Sequence, residues 1–326
     1  MSRTRVISVT LLLLCAICAG LLAGCGSGTS ATRVVRVGYL STDMHQLAYY
    51  VAREKGFFTQ EGLDVREVGA FSAGPEEMSA FSAGQLDIGY VGAAPAITFA
   101  SQGMADVKIV AQANAIGSSI VVRSGLDVAD VNGLKGLTVA IPGVSTMQDF
   151  ILHKALDEAG VDPAEVNIIV VKPPDMIASL ASGQIDAAVV WEPYPTMAVA
   201  QNAGRVLITS AKILPDHPCC MVVVDSKFLK DNPDTVKRFI AAHIKATDYI
   251  NANKLEAADM AHLWTGQDTS ITRVAMKNIK YAYVPSVKAI QSYVDFMKKS
   301  GVVKQKDTAA FTRSLVDTSF TGGSGR

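Results

Sequence analysis

Ala83-Gly84-Gln85-Leu86-Asp87-Ile88-Gly89-Tyr90-Val91 returns, offset by 99 positions, as Ser182-Gly183-Gln184-Ile185-Asp186-Ala187-Ala188-Val189-Val190. Each copy follows a helical stretch led by Met, Met78-Ser79-Ala80-Phe81 in one and Met176-Ile177-Ala178-Ser179-Leu180 in the other. Each runs at once into a Pro-bearing segment, Gly92-Ala93-Ala94-Pro95 or Trp191-Glu192-Pro193-Tyr194. A duplicated helix–turn–strand–loop predicts two similar lobes that end a strand at matching places. Two such lobes facing one another enclose a cleft, and a cleft holds a ligand.

The repeat extends outward. Val34–Leu40 and Leu137–Ile141 read as equivalent strands, followed by helices over about Gln46–Glu54 and Met147–Ala159. Second strands, Asp64–Val68 and Asn167–Val171, precede the duplicated segment. Each unit therefore reads β-α-β-α-β, which implies an α/β fold with a mainly parallel sheet flanked by helices in each lobe. The extended runs Ser119–Arg123 and Met221–Val224 bracket the second copy and are the expected connections of a two-strand hinge. Beyond Asp225 the pattern turns helical, over about 232–251, 254–264, 269–279, 286–299 and 308–315. These helices are expected to pack back on the first lobe and make it discontinuous. The resulting division is lobe I at 33–119 and 220–326, and lobe II at 120–219.

The chain has 30 basic and 30 acidic side chains, and without Arg3 and Arg5 of the leader 28 face 30. That balance leaves no electrostatic footprint for nucleic acid. Arg3 and Arg5 precede an apolar run from Val6 to Leu22 and then Leu22-Ala23-Gly24-Cys25. A basic start, a short apolar run and small residues at a cleavage site describe an export signal over 1–24. The small pair before Cys25 resembles a lipobox, in which that Cys becomes the first mature residue and carries lipid. A plain secretory signal and a membrane anchor are the alternatives; 17 apolar-run residues stand at the short edge for a spanning helix. Residues 25–32, rich in Gly and Ser, read as a flexible tether. The expected location is extracytoplasmic, lipid-anchored to the cell membrane.

In open α/β sheets ligands sit beyond the carboxyl ends of strands, where helix N-termini offer unpaired N–H groups. The strand ends of the first lobe supply His45, Gln46, Ser72, Gly92 and Ala93 as candidate ligand-binding residues; those of the second supply Thr146, Trp191 and Glu192. The copies diverge where Gly92-Ala93 faces Trp191-Glu192. Small residues let a ligand approach backbone N–H groups, while an aromatic ring and a carboxylate cover it from the other side. Trp191 as core and Glu192 as a rim ion pair is the plainer reading of the same residues.

With Cys15 and Cys18 in the signal and Cys25 spent on lipid, only Cys219 and Cys220 remain, and no disulfide framework exists. Adjacent cysteines in extended chain point to opposite faces. His217-Pro218-Cys219-Cys220 lacks the paired spacing of a zinc site, so no metal is expected. His153, His243 and His262 fall inside predicted helices. Phosphate loops, nucleophile elbows and metalloprotease motifs are missing, so neither a catalytic residue nor a cofactor is assigned.

Val37-Gly38-Tyr39-Leu40, His45-Gln46, Val51-Ala52-Arg53-Glu54-Lys55-Gly56-Phe57-Phe58 and Glu61-Gly62-Leu63-Asp64-Val65 together resemble the opening of the nitrate/taurine/aliphatic-sulfonate solute-binding proteins of ABC importers. The duplicated segments, Asn232-Pro233-Asp234-Thr235-Val236 and Val316-Asp317-Thr318-Ser319-Phe320 fit the same pattern. The resemblance spans about Val34 to Phe320. It implies a two-lobed periplasmic-binding-protein-like type II fold. A monomer of that fold closes on a small polar or anionic solute and docks on a permease with its ATPase. It also implies that the eight candidate residues line the pocket. No Arg lies in the strand-end loops, so pairing an anion would fall to helix N-termini. Two other classes share the resemblance. One is an enzyme on the same fold, of pyrimidine-precursor or menaquinone-pathway type; the other is a ligand-sensing lipoprotein without transport.

Overall fold

The computed structural model describes residues 34–322; the export signal, Cys25 and the tether lie outside the described residues. The chain opens with β1 (Val34–Leu40), β2 (Asp64–Phe71) and β3 (Ile88–Gly92), then β4 (Val107–Gln112) and the short β5 (Asn114–Ala115). It crosses into β6 (Ser118–Arg123), β7 (Thr138–Ile141), β8 (Asn167–Val170), β9 (Ala187–Trp191) and β10 (Gly204–Thr209). It returns through β11 (Cys220–Asp225) and ends with helices broken by β12 (Lys280–Tyr281).

Two five-stranded sheets result, ordered β2-β1-β3-β11-β4 and β10-β6-β9-β7-β8. In each, three strands pair in parallel and one reversed strand, β11 or β6, lies between the third strand and an edge strand. The duplicated strands keep equivalent registers. Ile88 of β3 pairs with Val37 of β1, and Ala187 of β9 pairs with Val139 of β7. The reversed strands also start at equivalent places, Cys220 opposite Gly92 and Ser118 opposite Trp191.

The runs expected to form the hinge are therefore sheet strands along most of their length. The passages between sheets fall just ahead of them, at residues 113–117 and 217–219. A bridge from Ala115 to Pro218 ties the two passages together, and β12 pairs with β5 beside them. No local pattern announces this small third sheet, because two-residue strands have no periodicity to read.

The repeated Asp performs one task twice. Asp87 accepts the backbone N–H of Arg36 at 2.8 Å and pairs with the Arg36 guanidinium at 2.7 Å. Asp186 accepts the backbone N–H of Thr138 at 3.0 Å and pairs with Arg123 at 3.1 Å. Gly84 and Gly183 both end a helix with positive φ, +66° and +74°, which the left-handed conformation reserves largely for Gly. Gly89 has a different reason. A Cβ there would stand 2.4 Å from Oε1 of Glu77, which is fully buried above the strand.

The C-terminal helices depart in part from expectation. Pro233–Ala252 does pack on the first lobe, stacking Phe239 on Phe58 at 4.7 Å. Val287–Lys299 also reaches the second lobe, where Tyr293 and Phe296 meet Phe150 of the helix Met147–Ala159 at 4.8 and 5.2 Å. The amphipathic pattern fixed which face of that helix is buried but not which neighbour covers it. Among the described residues no helix is long and apolar enough to cross a membrane.

Candidate functional site

The strand ends of both sheets converge on a cavity of about 10 Å³, whose lining includes Asp43, His45, Gly92, Thr146, Trp191 and Cys219. That is room for about one water molecule, so the lobes stand closed on each other. Direct contacts hold them there. Met44 donates its N–H to Glu192 O at 3.4 Å. Ala94, in the first turn of the helix after β3, donates to Sδ of Met147 from the other lobe at 3.3 Å.

His45, Gly92, Thr146 and Trp191 are the expected residues that line the cavity. Gly92 is small for a reason: a Cβ would stand 3.2 Å from Met147 Cγ. Thr146 caps its helix, accepting from Asp149 N at 3.2 Å and donating to Gly143 O at 2.7 Å. Trp191 is 2% exposed, and its Nε1–H has no hydrogen-bond partner among the described residues. A buried indole N–H normally finds an acceptor.

The other four expected residues are placed elsewhere. Gln46 is fully buried as a bracket, accepting from Leu40 N at 2.8 Å and donating to Asp43 Oδ2 at 3.2 Å. Ser72 donates its N–H to Glu76 at 2.8 Å and does not reach the cavity lining. The N–H of Ala93, expected to be open to a ligand, is taken by Cys219 O at 2.8 Å. Glu192 turns away from the cleft: its carboxylate accepts from Asn278 Nδ2 at 2.6 Å and Thr196 N at 3.3 Å. Burial raises its pKa, which the Asn278 and Thr196 hydrogen bonds oppose. A residue next to Pro on the same strand end points to the opposite side of the chain, which strand alternation dictates and loop reading missed.

Around His45 stand three residues the sequence did not assign to the site, Asp43, Cys219 and Cys220, and together the four build a polar cluster on its floor. His45 Nε2 lies 3.0 Å from Gly117 O, and Nδ1 lies 3.4 Å from Cys219 Sγ and 3.6 Å from Asp43 Oδ1. Cys220 Sγ donates to Asp43 Oδ2 at 3.7 Å. All four residues are at most 3% exposed. The adjacent cysteines do not diverge, because Cys219 precedes the strand that begins at Cys220; both are free thiols in one cluster. Burial pulls the His45 imidazole down, but the sulfur of Cys219 and the carboxylate of Asp43 outweigh it and raise the pKa to about 9. Burial lifts Asp43 to about 6, against the opposing pull of His45. The Cys219 thiol is lowered, chiefly by the hydrogen bond from Cys220 and then by His45. The shifts of His45 and Cys219 are each in the direction that favours the charged form of the group.

Fold and cleft define the class: a two-lobed binding protein of the periplasmic type, its ligand space enclosed between facing strand ends. The chain belongs to the NMT1-like family, whose profile matches residues 28–265. It is 32% identical over 76% of its length to a protein of Brucella abortus (strain 2308) described as a binding protein, which it covers over 76%. It is 26% identical to the taurine-binding periplasmic protein of Escherichia coli (strain K12), over 82% of this chain and 80% of that one. Among solved structures, the alkanesulfonate-binding protein SsuA from Xanthomonas axonopodis pv. citri bound to MOPS superposes with a TM-score of 0.76. That match covers 88% of this chain and 98% of the other at 18% identity.

Proposed function

We propose that this chain is the extracytoplasmic solute-binding component of an ABC importer. It captures a small polar or anionic solute of the sulfonate or taurine kind and delivers it to a permease served by an ATPase. It works by capture without chemistry: the solute enters the parted lobes and stabilises the closed form through contacts made only there. Lobe I at 33–119 and 220–326 and lobe II at 120–219 are the bodies that move. The lipid on Cys25 keeps the monomer at the membrane.

The observation that carries this reading is the buried, unpartnered Nε1–H of Trp191 at the interlobe cavity. It is a neutral donor held for an acceptor oxygen, and it sits where the duplicated segments diverge. The relatives that bind taurine and alkanesulfonate support the solute class. The test is a thermal-shift panel of taurine, alkanesulfonates, nitrate, bicarbonate and pyrimidines on the full-length protein. A rise in unfolding temperature with a sulfonate or taurine supports the reading; conversion of any compound to product overturns it.

A further inference from the structure

We infer that Asp43, His45, Cys219 and Cys220 form a binding site for one thiophilic divalent cation of the zinc type on the lobe I floor of the cleft. The ligand atoms of His45, Cys219 and Cys220 all lie within 4.8 Å of one another. With Zn–S bonds of about 2.3 Å and Zn–N or Zn–O bonds of about 2.0–2.2 Å, atoms around a tetrahedral zinc stand roughly 3.3–3.8 Å apart. Cys219 Sγ and His45 Nδ1 already stand 3.4 Å apart, and the Asp43 carboxylate faces the cluster with both oxygens, Oδ1 3.6 Å from His45 Nδ1 and Oδ2 3.7 Å from Cys220 Sγ.

The surroundings fit a metal as well as the ligands do. A carbonyl can only accept, so the 3.0 Å contact with Gly117 O places a proton on Nε2 of His45 and turns Nδ1 toward Cys219 Sγ. That is the outer hydrogen bond by which metal-bound histidines are oriented. Gln46 holds the carboxylate of Asp43 in the same way, donating at 3.2 Å, and is itself fixed by Leu40 N. Asn114 Oδ1 accepts the N–H of Cys220 at 2.9 Å and fixes the start of β11. Two thiolates select a soft cation over magnesium or calcium. A dication bound here takes the place of the protons on the two thiols and on Nδ1, and offsets negative charge that is otherwise fully buried.

All four ligands belong to the first sheet's strand ends, at the close of β1 and the start of β11. Loading therefore needs the lobes to part but does not need a solute. The inference goes beyond solute capture and stands or falls apart from it.

The full-length protein, purified in detergent and stripped with a chelator, is titrated with Zn²⁺ against a chromophoric competitor and separately with Cd²⁺. The expected result is one tight equivalent of zinc, and an ultraviolet thiolate-to-cadmium charge-transfer band in the wild-type protein. Cys219→Ser, Cys220→Ser and His45→Ala are each expected to weaken zinc binding at least tenfold. Circular dichroism of each variant shows whether it is folded. The cadmium band needs no variant, so its absence overturns the site even where a substitution fails to fold. Equal zinc affinity in a folded Cys219→Ser/Cys220→Ser double variant overturns it too. The sulfonate panel, run with and without zinc, reports on solute capture independently.

Discussion

Nδ1 of His45 lies 3.4 Å from Sγ of Cys219, although 174 residues separate them in sequence. The contact exists because β1 and the reversed β11 flank β3 in one sheet and bring the end of one strand beside the start of the other. Nothing local in either segment announces it. The pairing turns two residues that look unremarkable alone into the polar floor of the cleft.

The repeated aspartates are predicted to be staples of the fold rather than ligand groups. Asp87→Ala leaves the N–H of Arg36 without its acceptor, and Asp186→Ala does the same to Thr138. Each is expected to cost about 1–3 kcal/mol of stability. Denaturant unfolding measures the loss, and solute affinity per folded molecule is expected to be unchanged.

Burial holds His243 neutral, with its pKa lowered to about 4. Its Nε2–H donates to Gln112 O at 2.8 Å, so Nδ1 accepts from the Tyr90 hydroxyl at 3.0 Å. The unfolded imidazole takes its proton near pH 6.5 and the folded one only near pH 4. Its contribution is therefore complete above pH 6.5 and lost as pH falls through 4. That loss approaches about 3 kcal/mol, from roughly 1.4 kcal/mol per pH unit. The difference in unfolding free energy between wild type and His243→Gln, followed from pH 7 to pH 4, isolates it. A difference that does not shrink on acidification contradicts the assignment.

Glu77 is fully buried, and neither carboxylate oxygen has a hydrogen-bond partner among the described residues. Burial raises its pKa well above the usual carboxylate range. Folding therefore favours the protonated carboxyl over the charged one, a cost that shrinks as pH falls. Glu77→Gln, nearly the same shape and always neutral, is expected to raise the unfolding temperature at pH 7 and to lose that advantage near pH 4. Scanning calorimetry at the two pH values decides it.

The proposed lipid anchor is testable without a ligand. Cys25→Ser is expected to abolish incorporation of labelled fatty acid and release the protein from the membrane fraction. Retention of label in that variant contradicts lipidation at Cys25.

Much of the fold was legible because it rests on periodicity and on a repeat. The helix predicted over Met147–Ala159 has those bounds, and the repeated Gly and Asp do in both lobes what a shared scaffold requires. The site was legible only in part. Strand-end reasoning expected His45, Gly92, Thr146 and Trp191 at the cleft, and all four line the interlobe cavity. It misplaced Glu192 and Ala93, whose groups are consumed by Asn278 and Cys219 O, partners supplied by distant segments. It also set Cys219 and Cys220 aside on spacing, since a cluster assembled across the first lobe leaves no local motif.

The most direct test of the central claim is a calorimetric titration of the best sulfonate or taurine from the panel into wild type and Trp191→Phe. Phenylalanine keeps an aromatic ring in the cleft and removes the buried N–H. The predicted result is one site per chain in the wild type, weakened roughly 5- to 150-fold in the variant for about 1–3 kcal/mol lost. Equal affinity in the two proteins, or no binding of any such solute to the wild type, would contradict capture between the lobes.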